Sequence, residues 1–134
     1  MQVNVYKKVN NDLVYLAMKR TEEEGGFWQP ITGTVDEGET LLDTMTRELN
    51  EEAGITSLLA VSPELHSYSW TWKQEGTGTD HVFACEVLND TEIVLNPSEH
   101  NEFRWVSKDE MMELLRWDGN KVSLDKVHEY LLRL

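Results

Sequence analysis

The stretch from Gly33 to Ile55 reads GTVDEGETLLDTMTRELNEEAGI, and no other part of the chain is so dense in groups that can do chemistry. Glu39 follows Gly33 after five intervening residues. After seven more come Arg47, Glu48 and Leu49, then Glu51 and Glu52, then Gly54 and Ile55. Thr40 to Glu52 is predicted to be a helix. Thr40 and Asp43 have the spacing of a capping box. Gly54 suits the left-handed residue that ends a helix, with Ile55 packing back on it. Leu42, Met45 and Leu49 recur at helical spacing and define a stripe for burial. At 3.6 residues per turn, Glu48, Glu51 and Glu52 fall within an arc of about 100°, away from that stripe. A helix built for stability alone would set Glu against Lys at i,i+4, whereas Glu48 and Glu52 are a like-charged i,i+4 pair. Carboxylates so placed raise one another's pKa unless a cation neutralises them. A hard ion such as Mg²⁺, with Mn²⁺ as a substitute, fits oxygen donors. A solvated acidic face explains a lone Glu-x-x-Glu pair, but not the positions of Gly33, Glu39, Arg47 and Gly54.

Working outward, Val3–Val9 and Leu13–Met18 read as strands joined by an Asn10-Asn11-Asp12 turn. Thr21–Gly26 is a polar loop. Phe27–Ile31 is a short extended piece, since Pro30 biases Gln29 away from helix. Downstream, Ile55–Trp72 holds one or two strands, the last near Leu65–Trp72. Lys73–Thr79 (KQEGTGT) is a loop or hairpin tip, and Asp80–Leu88 alternates as a strand. Asn89–Pro97 is a connection with room for a short strand at Ile93. Glu102–Val106 is the last strand. Ser107–Trp117 begins with a Ser107/Glu110 capping box, Asp118-Gly119-Asn120 reads as a turn, and Lys121–Leu134 is an amphipathic helix with Leu124, Val127, Tyr130 and Leu131 on one side. The expected fold is one α+β domain spanning 1–134: a mixed sheet with a central helix on one side and C-terminal helices covering it.

Composition narrows the function. The chain has 134 residues and a formal net charge of −13. No Lys/Arg run exists to replace the counterions of a nucleic acid or an anionic membrane, so neither is expected as a partner. Clustered carboxylates reconcile that charge with a phosphate substrate, because they bind cations that bind phosphate. Cys85 is the single cysteine and lies in an alternating apolar run, so it reads as a core residue. No apolar run suits a signal peptide or a membrane span, and a cytoplasmic location is the expectation.

Every specified position of residues 33–55 matches the signature G-x5-E-x7-R-E-U-x-E-E-x-G-U, with U aliphatic, and the chain resembles the Nudix hydrolases. FWQPITGTVDEGET and EHNEFRW further resemble the branch that cleaves dihydroneopterin triphosphate. The resemblance implies an α/β/α sandwich and hydrolysis of a nucleoside diphosphate linked to another moiety. It implies that Glu48, Glu51 and Glu52 ligate metal, with the Gly33 carbonyl as an extra ligand, and that Glu39 and Arg47 support the site from behind. Glu48 is the favoured base, since a metal-held carboxylate can take a proton from water. A further carboxylate from outside the segment is expected, Glu99 in preference to Glu102, from the EH-x4-W pattern. The rival readings are a non-catalytic nucleotide-sensing module of the same fold and a Ca²⁺-binding domain. The intact Glu48, Glu51 and Glu52 oppose the first, and the absence of a D-x-[DN]-x-[DN]-G loop opposes the second.

On the substrate side, Arg20, with Lys19 beside it, ends a strand and can hold a terminal phosphate. Trp28 adjoins the segment, and Trp70 and Trp72 share a strand face, so these three can wall a base or pterin ring. Trp105 and Trp117 read as core. His66, His81, His100 and His128 show no ligand spacing, and His81 alone adjoins a loop expected near substrate. The substrate is expected to be a small nucleotide-type phosphate, a triphosphate first and a dinucleoside polyphosphate or nucleotide sugar second. The chain is expected to act as a monomer or homodimer.

Overall fold

A computed structural model of the chain describes all residues except Lys73, Gln74 and Glu75, and of Trp72 the backbone alone. The Lys73–Glu75 part of the expected loop therefore lies outside the described residues. Strand β1 (Gln2–Val9) turns through Asn10 and Asn11 into β2 (Asp12–Arg20). Both asparagines have positive φ, 52° and 70°, the conformation a two-residue hairpin needs and one that Asn tolerates. Then come β3 (Trp28–Gln29), β4 (Ile31–Thr32), α1 (Leu41–Ala53), β5 (Ala60–Val61), β6 (His66–Trp72), β7 (Gly76–Glu86), β8 (His100–Val106), α2 (Lys108–Leu114) and α3 (Asp118–Leu132). The strands form one mixed sheet. β1 and β7 run parallel at its centre, and β2–β8, β2–β3, β1–β4, β6–β7 and β5–β7 pair antiparallel.

Alternation along the central strands divides the core in two. Val3, Val5, Leu16, Met18, Phe83 and Cys85 face α1 and pack with Met45, Leu49 and Ala53. Tyr6, Tyr15, Ala17, Val82 and Ala84 face the other way and pack with Met111, Leu115, Leu124, Val127 and Leu131 of the C-terminal helices. Burial of these side chains on both faces is the main stabilising term of such a sandwich. Cys85 is fully buried beside the sulfur of Met45, a core residue as expected.

Pro30 separates β3 from β4. β3 pairs with β2, β4 with β1. A residue without an N–H marks the place where the chain changes partner, and the switch carries Gln29, Thr32 and Gly33 across the mouth of the β1–β2 pair.

Helix α1 has the expected capping box, with Thr40 accepting from the Asp43 N–H and Asp43 accepting from the Thr40 N–H. Gly54 ends it at φ 67°, and the Ile55 N–H bonds the Leu49 carbonyl. The buried surface differs from the expected stripe. Leu42 is 58% exposed, and the buried rows are Met45-Leu49-Ala53, extended by the half-buried Leu41, and Thr44-Glu48-Glu52. The buried contacts follow i,i+4 rows, and Leu42 falls on the next row out, with the exposed Thr46 and Asn50. Two of the three carboxylates thus lie beside the apolar row, not away from it.

Three other expectations change. The strand expected from Asp80 begins at Gly76. No strand forms around Ile93, which packs against the α1 side of the core from an irregular segment. Asp118-Gly119-Asn120 is the first turn of α3 and not a separate turn. A Cβ at Gly119 would stand 2.7 Å from the Tyr68 ring, and the Asn120 amide bonds Gln2, so packing sets that turn.

Candidate active site

Arg47 organises the acidic residues. Its Nε and Nη2 donate to the two oxygens of Glu39, each at 2.9 Å. Its Nη1 donates to Glu48 at 2.7 Å and to Glu51 at 3.3 Å, and Nη2 also donates to the Thr34 carbonyl at 3.0 Å. Glu39 further accepts from the Asp36 N–H and the Thr44 hydroxyl. The hydrogen bonds from Arg47 and Asp36 hold its carboxyl at about 2. One planar guanidinium therefore ties the loop before α1 to the helix face, a task its fork geometry suits.

Gly33 is fixed by Glu48. A Cβ on Gly33 would lie 2.3 Å from Cγ of Glu48. The Gly33 carbonyl accepts from the Met1 amino nitrogen at 2.9 Å.

A cavity of about 160 Å³ is lined by Arg20, Gln29, Thr32, Gly33, Glu48, Glu52, Glu99 and His100. Glu48 and Glu52 are each 7% exposed. Burial pushes Glu48 up, against the hydrogen bond from Arg47. Burial also works to raise Glu52, but His100 and Glu99 outweigh it and hold Glu52 below its usual value. Glu99 is pushed up to about 7, first by its hydrogen bond to Glu52 and then by burial. Arg20 is the one arginine on this wall, and it is already paired with Glu24 at 2.9 Å. Glu51 lies outside this lining, half exposed beside Arg47. Glu102 turns instead to Arg104 at 2.9 Å, and Lys19 approaches Glu22.

His100 joins the site, contrary to its reading from the sequence. It is 1% exposed, and its Nδ1 stands 3.1 Å from Oε2 of Glu52. Glu52, Glu99 and His100 bring one donor atom each within 4.8 Å of one another. The pairing of β8 with β2 shifts between Lys19 and Arg20, so that Lys19 faces Glu102 and Arg20 faces His100. That bulge seats Glu99 and His100 at the cavity, a use bulges often serve. No sequence spacing signals it, because its partners lie on distant elements. His81 pairs with Glu64 and is not on either cavity wall.

The donor set fits a hard divalent cation. Three carboxylates converge, and Oε2 of Glu52 is buried without a well-aligned hydrogen bond. Such a group is costly unless a cation or donor reaches it.

A second cavity of about 650 Å³ shares Gln29, Thr32 and Gly33 with the first. Phe27, Tyr68, Trp70 and Trp117 line it, with Asp118 and Asn120 from α3. The Trp70 ring lies over Gly78, its cross-strand partner, where a Cβ would stand 2.3 Å from Cζ2. Trp117, read as core, is 40% exposed and packs edge-to-face on Phe27 at 6.0 Å. Trp28 is not on this wall. It packs against the α3 side of the core under Arg104. The side chain of Trp72 lies outside the described residues. Trp105 packs on the α1 side, as expected.

The sequence matches the NUDIX domain over residues 2–127. The chain belongs to the Nudix family. The pig bis(5′-nucleosyl)-tetraphosphatase is 31% identical over 130 residues, covering 92% of this chain and 85% of its own. The dihydroneopterin triphosphate diphosphatase of Haemophilus influenzae is 29% identical, covering 98% and 86%. Among solved structures, a Nudix hydrolase of Listeria monocytogenes superposes with a TM-score of 0.85 at 23% identity, covering 98% and 92%. The Ap4A hydrolase of C. elegans superposes at 0.82 with 20% identity, covering 99% and 96%. The fold is the Nudix α/β/α sandwich, and the chain is a Nudix pyrophosphohydrolase acting on nucleotide-type substrates. No described helix is long and apolar enough to cross a membrane.

Proposed function

We propose that this Nudix enzyme hydrolyses a pyrophosphate bond in the triphosphate of an aromatic base, releasing a monophosphate and pyrophosphate, with Mg²⁺ or Mn²⁺ as cofactor. The observation that carries this reading is the adjacency of the two cavities: carboxylates line the small one, aromatic rings the large one, and Gln29, Thr32 and Gly33 are common to both. A base stacked near Trp70 and Phe27 would extend its phosphates toward Glu48, Glu52 and Glu99. These three, with Glu51 on the exposed side of Arg47 and the Gly33 carbonyl, would hold the ions. Bound divalent ions supply charge neutralisation on the phosphates and a more acidic water. Arg20 would hold a phosphate oxygen. Glu48 would take the proton as water attacks phosphorus, while the bond to the leaving phosphate oxygen breaks. Arg47, pinned by Glu39, keeps Glu48 in place.

A second reading, a dinucleoside polyphosphate substrate, is favoured by the identity with the pig tetraphosphatase. A panel of nucleoside triphosphates, pterin triphosphate, dinucleoside tetraphosphate and nucleotide sugars with Mg²⁺ separates the two by products. Monophosphate plus pyrophosphate supports the first. Turnover confined to the dinucleotide supports the second, and no turnover of any compound overturns both.

A further inference from the structure

His100 has two buried neighbours, and their chemistry orders the ring. Its Nε2 stands 2.9 Å from the amide nitrogen of Gln29, itself 5% exposed. An amide nitrogen only donates, so Nε2 accepts and the ring proton sits on Nδ1. That Nδ1 faces Oε2 of Glu52 at 3.1 Å. Gln29, His100 and Glu52 thus form a row from β3 through β8 to the last turn of α1. We propose that His100, oriented by Gln29, is a positioning residue that holds the Glu52 carboxylate toward the bound cation without ligating it. The proposal rests on the metal-binding reading above.

Three observations favour positioning over ligation. In this tautomer the nitrogen nearest the carboxylates carries a hydrogen and has no lone pair to give. Oxygen donors outnumber it on the same cavity wall, and a hard ion selects them. Glu52 and Glu99 share a hydrogen bond on that wall. The buried Nδ1–H lies 3.1 Å from Oε2 of Glu52, and neither atom has an aligned hydrogen bond among the described residues, so a small turn of the carboxylate pairs them and restricts its rotamers, the role that outer partners of metal ligands commonly play. Gln29 also lines the aromatic cavity, so the row starts in the wall the two cavities share.

The test is Mn²⁺ titration of the metal-free protein, followed by the spin signal of free ion, for wild type, H100F and H100N. Asn at 100 retains a side-chain N–H near the position of Nδ1. H100F is expected to weaken Mn²⁺ binding by about 10–100-fold, and H100N to remain within about threefold of wild type. Q29L, which keeps the ring but frees it, is expected to lose about tenfold, and it carries the test if H100F does not fold. Pulsed magnetic resonance on wild type with Mn²⁺ is expected to show no directly coordinated nitrogen. Undiminished Mn²⁺ affinity in H100F, or in Q29L where H100F does not fold, overturns the proposal. So does H100N as weak as H100F, or a directly bound imidazole nitrogen. Failure of wild type to bind Mn²⁺ would instead overturn the metal-binding reading itself.

Discussion

The guanidinium of Arg47 and the carboxylate of Glu39 meet in a two-point hydrogen bond, 2.9 Å on each arm. Neither is on the wall of the carboxylate cavity, yet the third arm of Arg47 reaches Glu48, which is. A lysine at 47 would keep the charge and lose the fork. R47K is therefore expected to lower kcat by about 10–100-fold, as for other outer partners of metal ligands, while kcat stays responsive to added Mg²⁺. E39Q should fall in the same direction by less, because its amide still accepts one bond. Steady-state kinetics across a Mg²⁺ series check both. Wild-type kcat in R47K would show that Glu48 needs no such support.

G33A addresses the same carboxylate from the other side. An alanine methyl would stand 2.3 Å from Cγ of Glu48, so one of them must move. Because Glu48 is enclosed, the cost falls on its rotamer or on the loop before α1. The expected outcome is a loss of Mn²⁺ affinity together with activity, and a melting temperature lowered by a few degrees, on the scale of about 1–3 kcal/mol for overpacking. Calorimetry of the metal-free protein against a Mn²⁺ titration checks it.

Much of the site could be read in advance because its rules are local. Thr40, Asp43, Gly54 and the Met45–Leu49 repeat fix α1 from its own sequence. The like charges at 48 and 52 mark the face. What could not be read depends on how elements meet. Leu42 is exposed because the sheet meets the neighbouring rows through Leu41, Met45, Leu49 and Ala53, a choice made by side chains on other elements. His100 reaches Glu52 through a bulge in β8. Asp118–Asn120 looked like a turn by residue type, but Tyr68 and Gln2 hold it helical. Trp28 and Trp117 exchange roles for a similar reason: Trp28 packs against the α3-side core beside Leu115, while Trp117, in the connection before α3, packs edge-to-face on Phe27 at the large cavity.

Glu51 offers the cleanest separation of chemistry from stability. It is half exposed, and among the described residues its carboxylate pairs with Arg47 at 3.3 Å. E51Q should keep the fold and its melting temperature while removing nearly all hydrolysis, if the carboxylate is a ligand. Millimolar Mg²⁺ should stabilise the wild type by mass action, by about 2.7 kcal/mol at one hundred times Kd, and so raise its melting temperature, with a smaller rise in E51Q. Scanning fluorimetry with and without Mg²⁺ is the check. Retained turnover in E51Q would remove Glu51 from the ligand set.

His128 provides a pH test away from the site. Its Nδ1 is 2.7 Å from the hydroxyl of Tyr15, which is fully buried. Burial, with Lys108 nearby, holds His128 below its usual value. The unfolded chain takes up the proton near pH 6.5 and the folded one resists it, so stability falls as pH drops below about 6.5. H128N retains a polar partner for Tyr15 without titrating there. Between pH 7 and pH 5 the wild-type melting temperature should fall further than that of H128N. Parallel curves would mean that His128 titrates alike in both states.

Trp70 and Trp28 give the sharpest contrast on the substrate side. The sequence offers both as walls for a ring, and of the two the structure puts Trp70 on the large cavity and Trp28 under Arg104 against the α3 layer. Removing a stacking surface costs ground-state and transition-state binding alike, about 1–3 kcal/mol per ring. W70A should therefore raise KM by about 5–100-fold with kcat within about twofold of wild type. W28A should leave KM near wild type and lower stability by up to about 3 kcal/mol, since it hollows a partly buried packing site. If W70A leaves KM unchanged for every triphosphate that the enzyme cleaves, the base binds elsewhere than the aromatic cavity.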